Sequence, residues 1–144
     1  METGQIVIER SSPDEDGIIY AQVVVSNGRF SGAVEDYLGA DELHAFALYL
    51  QWFPRSLADS AAFGCDAQAI GWRDRLCIRA YVVDRGGHVG LEYKLRSGGN
   101  RSLSAISEFT VVTEASSVNS FGRMLAGWVR SKTQRLEYTF QSST

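Results

Sequence analysis

From Arg75 the chain reads Arg75-Leu76-Cys77-Ile78-Arg79-Ala80-Tyr81-Val82-Val83-Asp84-Arg85-Gly86-Gly87-His88-Val89-Gly90-Leu91-Glu92-Tyr93-Lys94-Leu95. Val89, Leu91, Tyr93 and Leu95 are apolar, and His88, Glu92, Lys94 and Arg96 between them are polar. A period of two puts one face of a strand into a core and the other into water. Asp84-Arg85-Gly86-Gly87 supplies the residues that tolerate a tight reversal. The stretch predicts an antiparallel hairpin, with Leu76, Ile78, Val89, Leu91 and Tyr93 in the core.

Working outward toward the N-terminus, Ile18 to Ser26 is rich in β-branched residues and apolar on both phases, as in a central strand. Asn27-Gly28 then signals a second hairpin. Phe30 to Leu38 is its return strand, with Phe30, Val34 and Leu38 facing one way and Gly32 marking a bulge or a close approach. Ile6 to Glu9 predicts a first strand. The loop Ser11-Ser12-Pro13-Asp14-Glu15-Asp16-Gly17 is acidic, but it lacks the alternating ligands and distant Glu of an EF-hand. Asp41 reads as the N-cap of a helix whose stripe is Leu43, Phe46, Ala47, Leu50 and Phe53, and Pro54 stops it.

Ala61, Phe63, Cys65 and Ala67 alternate as a small-residue strand, and Gly71-Trp72-Arg73-Asp74 reads as a turn. Beyond the central hairpin come a Gly/Ser/Asn loop at Ser97 to Ser102 and an alternating strand at Glu108 to Glu114. A second helix, capped by Ser116 or Ser117, buries Val118, Phe121, Leu125 and Trp128, joined by Met124 and Val129. Leu136, Tyr138 and Phe140 alternate again, so residues 135–142 read either as a last strand or as a frayed tail. Hairpins in succession without βαβ alternation predict an α+β fold. Its expected form is an antiparallel sheet of about six to eight strands with two amphipathic helices packed on it.

The 144 residues suit one globular domain, residues 1–144. Hydrophobic content of 44% and charged content of 22% are those of an ordinary globule. No apolar run reaches the roughly 18 residues of a membrane span, and the start lacks the pattern of a signal peptide. A cytoplasmic location is the expectation. Cys65 and Cys77 match no metal spacing, and in a reducing compartment they read as small buried hydrophobes. The alternative is a reactive thiol, which needs a neighbouring cation.

Net charge is −3. Up to Asp66 there are eleven acidic and three basic residues, a balance of −8; from Ala67 there are six and eleven, a balance of +5. Either the opposite charges meet across strands, or the surface is polarised with one side suited to a basic partner.

Little points to catalysis. His44, on the polar side of the first helix, and His88, beside a turn, are the two histidines. Either would serve an enzyme as a base, but no nucleophile motif accompanies them. Glu35 and Asp36 are neighbours on a strand and point to opposite faces. Arg73, Arg75, Arg79 and Lys94 with Tyr81 form a basic patch, but a pI near 5.4 argues against general nucleic-acid binding. No metal and no cofactor are expected. A small-ligand pocket lined by Trp52, Trp72 and Tyr81 is a further reading.

Phe30-Ser31-Gly32, the helix Asp41-Glu42-Leu43-His44-Ala45-Phe46-Ala47-Leu48-Tyr49-Leu50, the strand His88-Val89-Gly90-Leu91-Glu92-Tyr93 and the later Phe121-x-x-x-Leu125 helix form an ordered set of parts. In that order, from Val23 to Val129, the chain resembles the small bacterial WapI-type immunity proteins and related uncharacterised bacterial families. The Gly/Ser/Asn loop near Asn100 and the strand after Arg135 have no counterpart in that pattern. The resemblance implies a non-catalytic cytoplasmic protein that neutralises a toxin by binding it, and an acidic face would suit a basic toxin domain. Glu35, Asp36, Asp41 and Glu42 are the expected partner-binding residues, brought onto one rim by the turn at Gly39-Ala40.

Overall fold

A computed structural model describes residues 3–65, 74–98 and 104–141. Strands β1 (Gln5–Arg10), β2 (Ile18–Ser26) and β3 (Ser31–Gly39) lead into helix α1 (Ala40–Leu50). Then come β4 (Ser60–Phe63), β5 (Arg75–Val82), β6 (His88–Ser97), β7 (Ala105–Glu114), helix α2 (Ala115–Ser131) and β8 (Arg135–Thr139). The class is α+β. The eight strands divide between two four-stranded antiparallel sheets, ordered β3-β2-β1-β8 and β4-β5-β6-β7. Alternation shows which side of a strand is buried but not what buries it, so the division is not visible in the pattern.

Both predicted hairpins form. Asn27 Oδ1 accepts the N–H groups of Arg29 and Phe30, and Gly28 takes φ 92°. This sets the register Tyr20↔Tyr37, Gln22↔Glu35 and Val24↔Ala33. In the second turn Asp84 Oδ1 accepts from Gly86 and His88, with Gly87 at φ 92°. Tyr81 then lies across Gly90 on the outer face, where a Cβ would meet the ring at 2.6 Å.

The inward phases of the two sheets share one core with the helices. Leu76, Ile78, Val89, Leu91 and Tyr93, the helix residues Leu43, Phe46 and Leu50, and Phe121, Leu125 and Trp128 are all buried, as expected. Burial of this many aliphatic and aromatic side chains is the main favourable term, at about 1.5–3 kcal/mol each. Gly32 marks a close approach: a Cβ there would lie 3.0 Å from Ser107 of the other sheet. At Gly122, α2 meets α1, and a Cβ would lie 2.7 Å from the Ala47 carbonyl oxygen. Asn119 next to it donates to the carbonyls of Leu50 and Phe53, filling the open C-terminus of α1.

Several local expectations are corrected. Asp41 does not cap α1: the chain passes from β3 into the helix without a loop, so Gly39 is the N-cap and has no side-chain cap bond. Neither Ser116 nor Ser117 caps α2, for the same reason; Glu114 ends β7 and precedes the helix directly. Ser117 instead accepts from the Gln141 N–H within the core. Met124 is 45% exposed, and Phe30 sits in the turn with its ring exposed. Cys65 and Cys77 are not buried thiols but a disulfide. Ala67, the turn at Gly71-Trp72-Arg73 and most of the Ser97 to Ser102 loop lie outside the described residues.

Residues 135–142 resolve in favour of a strand through Thr139, which pairs with β1 from Gln5↔Thr139 to Glu9↔Arg135. The Phe140 N–H donates to the Gly4 carbonyl beside it. Arg10 closes α2: its guanidinium stacks 4.0 Å from the Trp128 ring and donates to the carbonyls of Trp128, Val129 and Thr133. Asp14 holds it from the other side at 2.7 Å, which gives the acidic loop a structural task. A cation on the exposed carbonyls of a helix C-terminus also matches the helix dipole.

Candidate partner-binding surface

The four carboxylates expected on one rim go to different places. Asp36 points inward and is 5% exposed; its carboxylate accepts the N–H of Leu76 at 3.0 Å and of Tyr37 at 2.8 Å. It bolts β3 to the second sheet and is withdrawn from any partner. Asp41 faces a polar cleft with Asp14, Asp16, His44 and Arg130. Glu42 faces a groove between α1 and β4. Strand alternation separates Glu35 from Asp36, and the 100° step of a helix separates Asp41 from Glu42. A single rim of all four does not form.

Glu35 remains on the outer face of the first sheet, in a more distinctive setting. Tyr20 donates its hydroxyl to Glu35 Oε2 at 2.6 Å. Tyr37, opposite Tyr20, meets its ring edge to face at 4.6 Å and is 57% exposed. Asp74 completes the patch from the other sheet, accepting the Glu35 N–H on one oxygen and the Gly98 N–H on the other, both at 2.7 Å. These groups, with Gln22, line a shallow hollow of ≈480 Å³. The hydrogen bond to Glu35, then desolvation and the nearby carboxylates, push the Tyr20 hydroxyl up to about 12. Two aromatic faces with flanking carboxylates suit a cationic side chain.

Tyr20, Tyr37 and Asp74 were not singled out in the sequence. The tyrosine pair had a signal: the Asn27-Gly28 turn fixes a register in which position numbers of partners sum to a constant, and Tyr20 falls opposite Tyr37. Asp74 had none, because nothing local links it to Glu35.

The outer faces of the two sheets differ in charge. Around the tyrosines the first presents Glu9, Glu35 and Glu137, with Arg135 bridging Glu9 and Glu137 at 3.2 Å. The second presents Arg75, Arg79, Lys94 and Arg96 with Glu92, Glu108 and Glu114, and Arg79 pairs with Glu92 at 3.6 Å.

The histidines sit apart from the patch. His44 accepts from Arg130 at 3.1 Å. His88 Nδ1 lies 2.7 Å from Asp84, with Glu114 at 3.6 Å. The hydrogen bond from His88 holds Asp84 below the usual carboxylate range, and the same bond raises His88. Of the three aromatics expected to line a ligand pocket between helix and sheet, Trp52 is 72% exposed at the end of α1, Tyr81 lies on the outer face of β5, away from the helices, and Trp72 is outside the described residues. Among the described residues, no group of three or more His, Cys, Asp or Glu is placed to hold a metal ion, and no helix is long and apolar enough to cross a membrane.

No family model matches the sequence, and no curated protein does. Among solved structures the chain is similar in outline to that of the plant transcriptional regulator PBF-2, at 13% identity and a TM-score of 0.47, over 88% of this chain and 75% of that one.

Proposed function

We propose that this chain is a non-catalytic binding domain that recognises a basic protein, and that its role is immunity against a bacterial toxin of the kind the WapI-type resemblance implies. The observation that carries the reading is the Tyr20–Tyr37 pair set between the carboxylates of Glu35 and Asp74. Tyrosines are enriched in protein interfaces, because one rigid side chain supplies apolar area and a polar tip. Carboxylates around them speed the approach of a cationic partner and fix its register. The partner's Lys or Arg would enter the hollow, meet the ring faces and pair with Glu35. Such a protein acts in the cytoplasm of the cell that makes the toxin and needs no cofactor.

The test is co-expression with the toxin domain whose gene adjoins that of this chain. Cells carrying the wild-type protein are expected to survive, and those carrying Tyr37→Ala to lose protection. With the purified pair at low salt, Glu35→Lys should slow association at least tenfold, and the difference should shrink as salt is added. Glu42→Lys, on another face, should associate at the wild-type rate. Absence of any adjoining toxin gene, or death of cells despite folded wild-type protein, overturns the immunity reading. Equal association rates for wild type and Glu35→Lys move the interface elsewhere.

A further inference from the structure

We infer that Cys65 and Cys77 form a redox-active pair that exchanges with small anionic thiols of the glutathione type, with Cys65 the sulfur attacked and Cys77 the leaving thiolate. The inference rests on placement. Cys65 follows the edge strand β4 and is exposed, whereas Cys77 lies within β5 and is half-buried. An incoming thiolate therefore reaches Cys65 first.

Cys77 belongs to the outward phase of β5, on the basic face. Lys94 stands directly across from it on β6, and Arg75 and Arg79 flank it on the same face of β5. Directly opposed residues in a sheet have Cβ atoms about 5 Å apart. Arg96 and Glu92 are diagonal to Cys77, and Glu108 lies beyond Lys94 on β7. Of the six charges so placed, Arg79 and Glu92 pair with each other at 3.6 Å, and Lys94 is the cation directly opposite Cys77. A thiolate in such surroundings is stabilised, and a stabilised thiolate leaves faster. The same cations draw in a thiol that carries carboxylates of its own.

The exchange balances as two steps. A glutathione thiolate attacks the Cys65 sulfur; the Cys65–Cys77 bond breaks, and its electron pair leaves on Cys77. The product is a Cys65–glutathione mixed disulfide. A second glutathione thiolate attacks the glutathione sulfur of that adduct, releasing oxidised glutathione and the Cys65 thiolate. The protein disulfide has gained two electrons, one from each glutathione, and both cysteine thiolates take protons from water according to pH. The same two steps run in reverse with oxidised glutathione as the oxidant, so the pair follows the ratio of reduced to oxidised glutathione.

Three measurements test this on the full chain. Intact mass of air-oxidised protein should be two hydrogens below the reduced chain; two free thiols would overturn the pair itself. After brief exposure to glutathione and acid quenching, peptide mapping should find the glutathione on Cys65, and an adduct mainly on Cys77 would overturn the assignment. Charge is tested by comparing glutathione with the cationic thiol cysteamine. Wild type should react several-fold faster with glutathione relative to cysteamine than Lys94→Glu does, Lys94 being exposed and its replacement confirmed folded by circular dichroism. In Cys65→Ser the alkylation rate of Cys77 should show a midpoint below the usual value of about 8.5, rising in Cys65→Ser/Lys94→Glu. An unchanged thiol preference and midpoint would show that the basic face does not act on the pair.

Discussion

One position along β3 from Glu35, the same acidic chemistry has the opposite fate. Asp36 accepts two backbone N–H groups in the core, one from each sheet. Asp36→Ala leaves the Leu76 N–H buried without its acceptor, a cost of about 1–3 kcal/mol. Urea unfolding should show that loss, whereas Glu35→Ala should fall within about 0.5 kcal/mol of wild type, as exposed substitutions do. Equal stability of the two variants would mean that Asp36 is not the bolt between the sheets. Alternation in the sequence shows that one of the two carboxylates turns inward, but an inward carboxylate needs a donor, and its donor lies forty positions away. The pairing of Cys65 with Cys77 was hidden in the same way, since only the β4–β5 register brings the two positions together.

Turns and single elements were far more legible, because their causes are local. Asn27-Gly28 and Asp84 through Gly87 form the turns their residue types demand, and the stripe of α1 is buried as its spacing requires. Helix starts are less legible, because both helices grow directly from strands and leave no loop for a capping side chain. The second turn carries a pH dependence. His88 is raised above 6.5 by its bond to Asp84, so its contribution is complete below 6.5 and is lost as pH rises through the higher folded value. Asp84 is lowered below 3.8, so its contribution is lost only as pH falls through that lower value. The melting advantage of wild type over His88→Gln should therefore be greatest between these limits and shrink as pH is taken from about 6 to about 8. An advantage that grows over that interval would rule out the pair as its source. The contact between the helices is tested at Gly122. Gly122→Ala sets a methyl against the backbone of α1 and should cost about 1–3 kcal/mol despite the better helix propensity of Ala. A stabilised variant would mean that the helices are not in contact there.

Across the whole molecule, the two sheets share one spatial layout but not one connectivity. The second is a four-strand meander that runs into α2; the first is a three-strand meander that runs into α1, with β8 from the far end of the chain added beside β1. Local patterns could reveal β8 as a strand without revealing that it belongs beside β1. Removing residues 134–144 should abolish cooperative melting, because Leu136 and Phe140 leave the core and β1 becomes an open edge. Retention of a sharp melt near the wild-type temperature would show that β8 is dispensable. Charge also belongs to this scale: Glu9 and Glu35 from the early chain and Glu137 from the late chain share the outer face of the first sheet only because β8 pairs with β1.

The antiparallel pairing of β1 and β8 has a mechanical consequence. Gly4 and Phe140 stand side by side at the same end of that ladder, joined by a 2.8 Å hydrogen bond. A tether pulled from both of them loads the ladder one rung at a time, like the slider of a zip, instead of shearing every rung at once. Since the rungs of an antiparallel pair run perpendicular to the strands, the pull lies along each bond in turn. The molecule should therefore open at low force from these points, and resist far more when held by the two ends of β6, whose ten residues are paired on both sides.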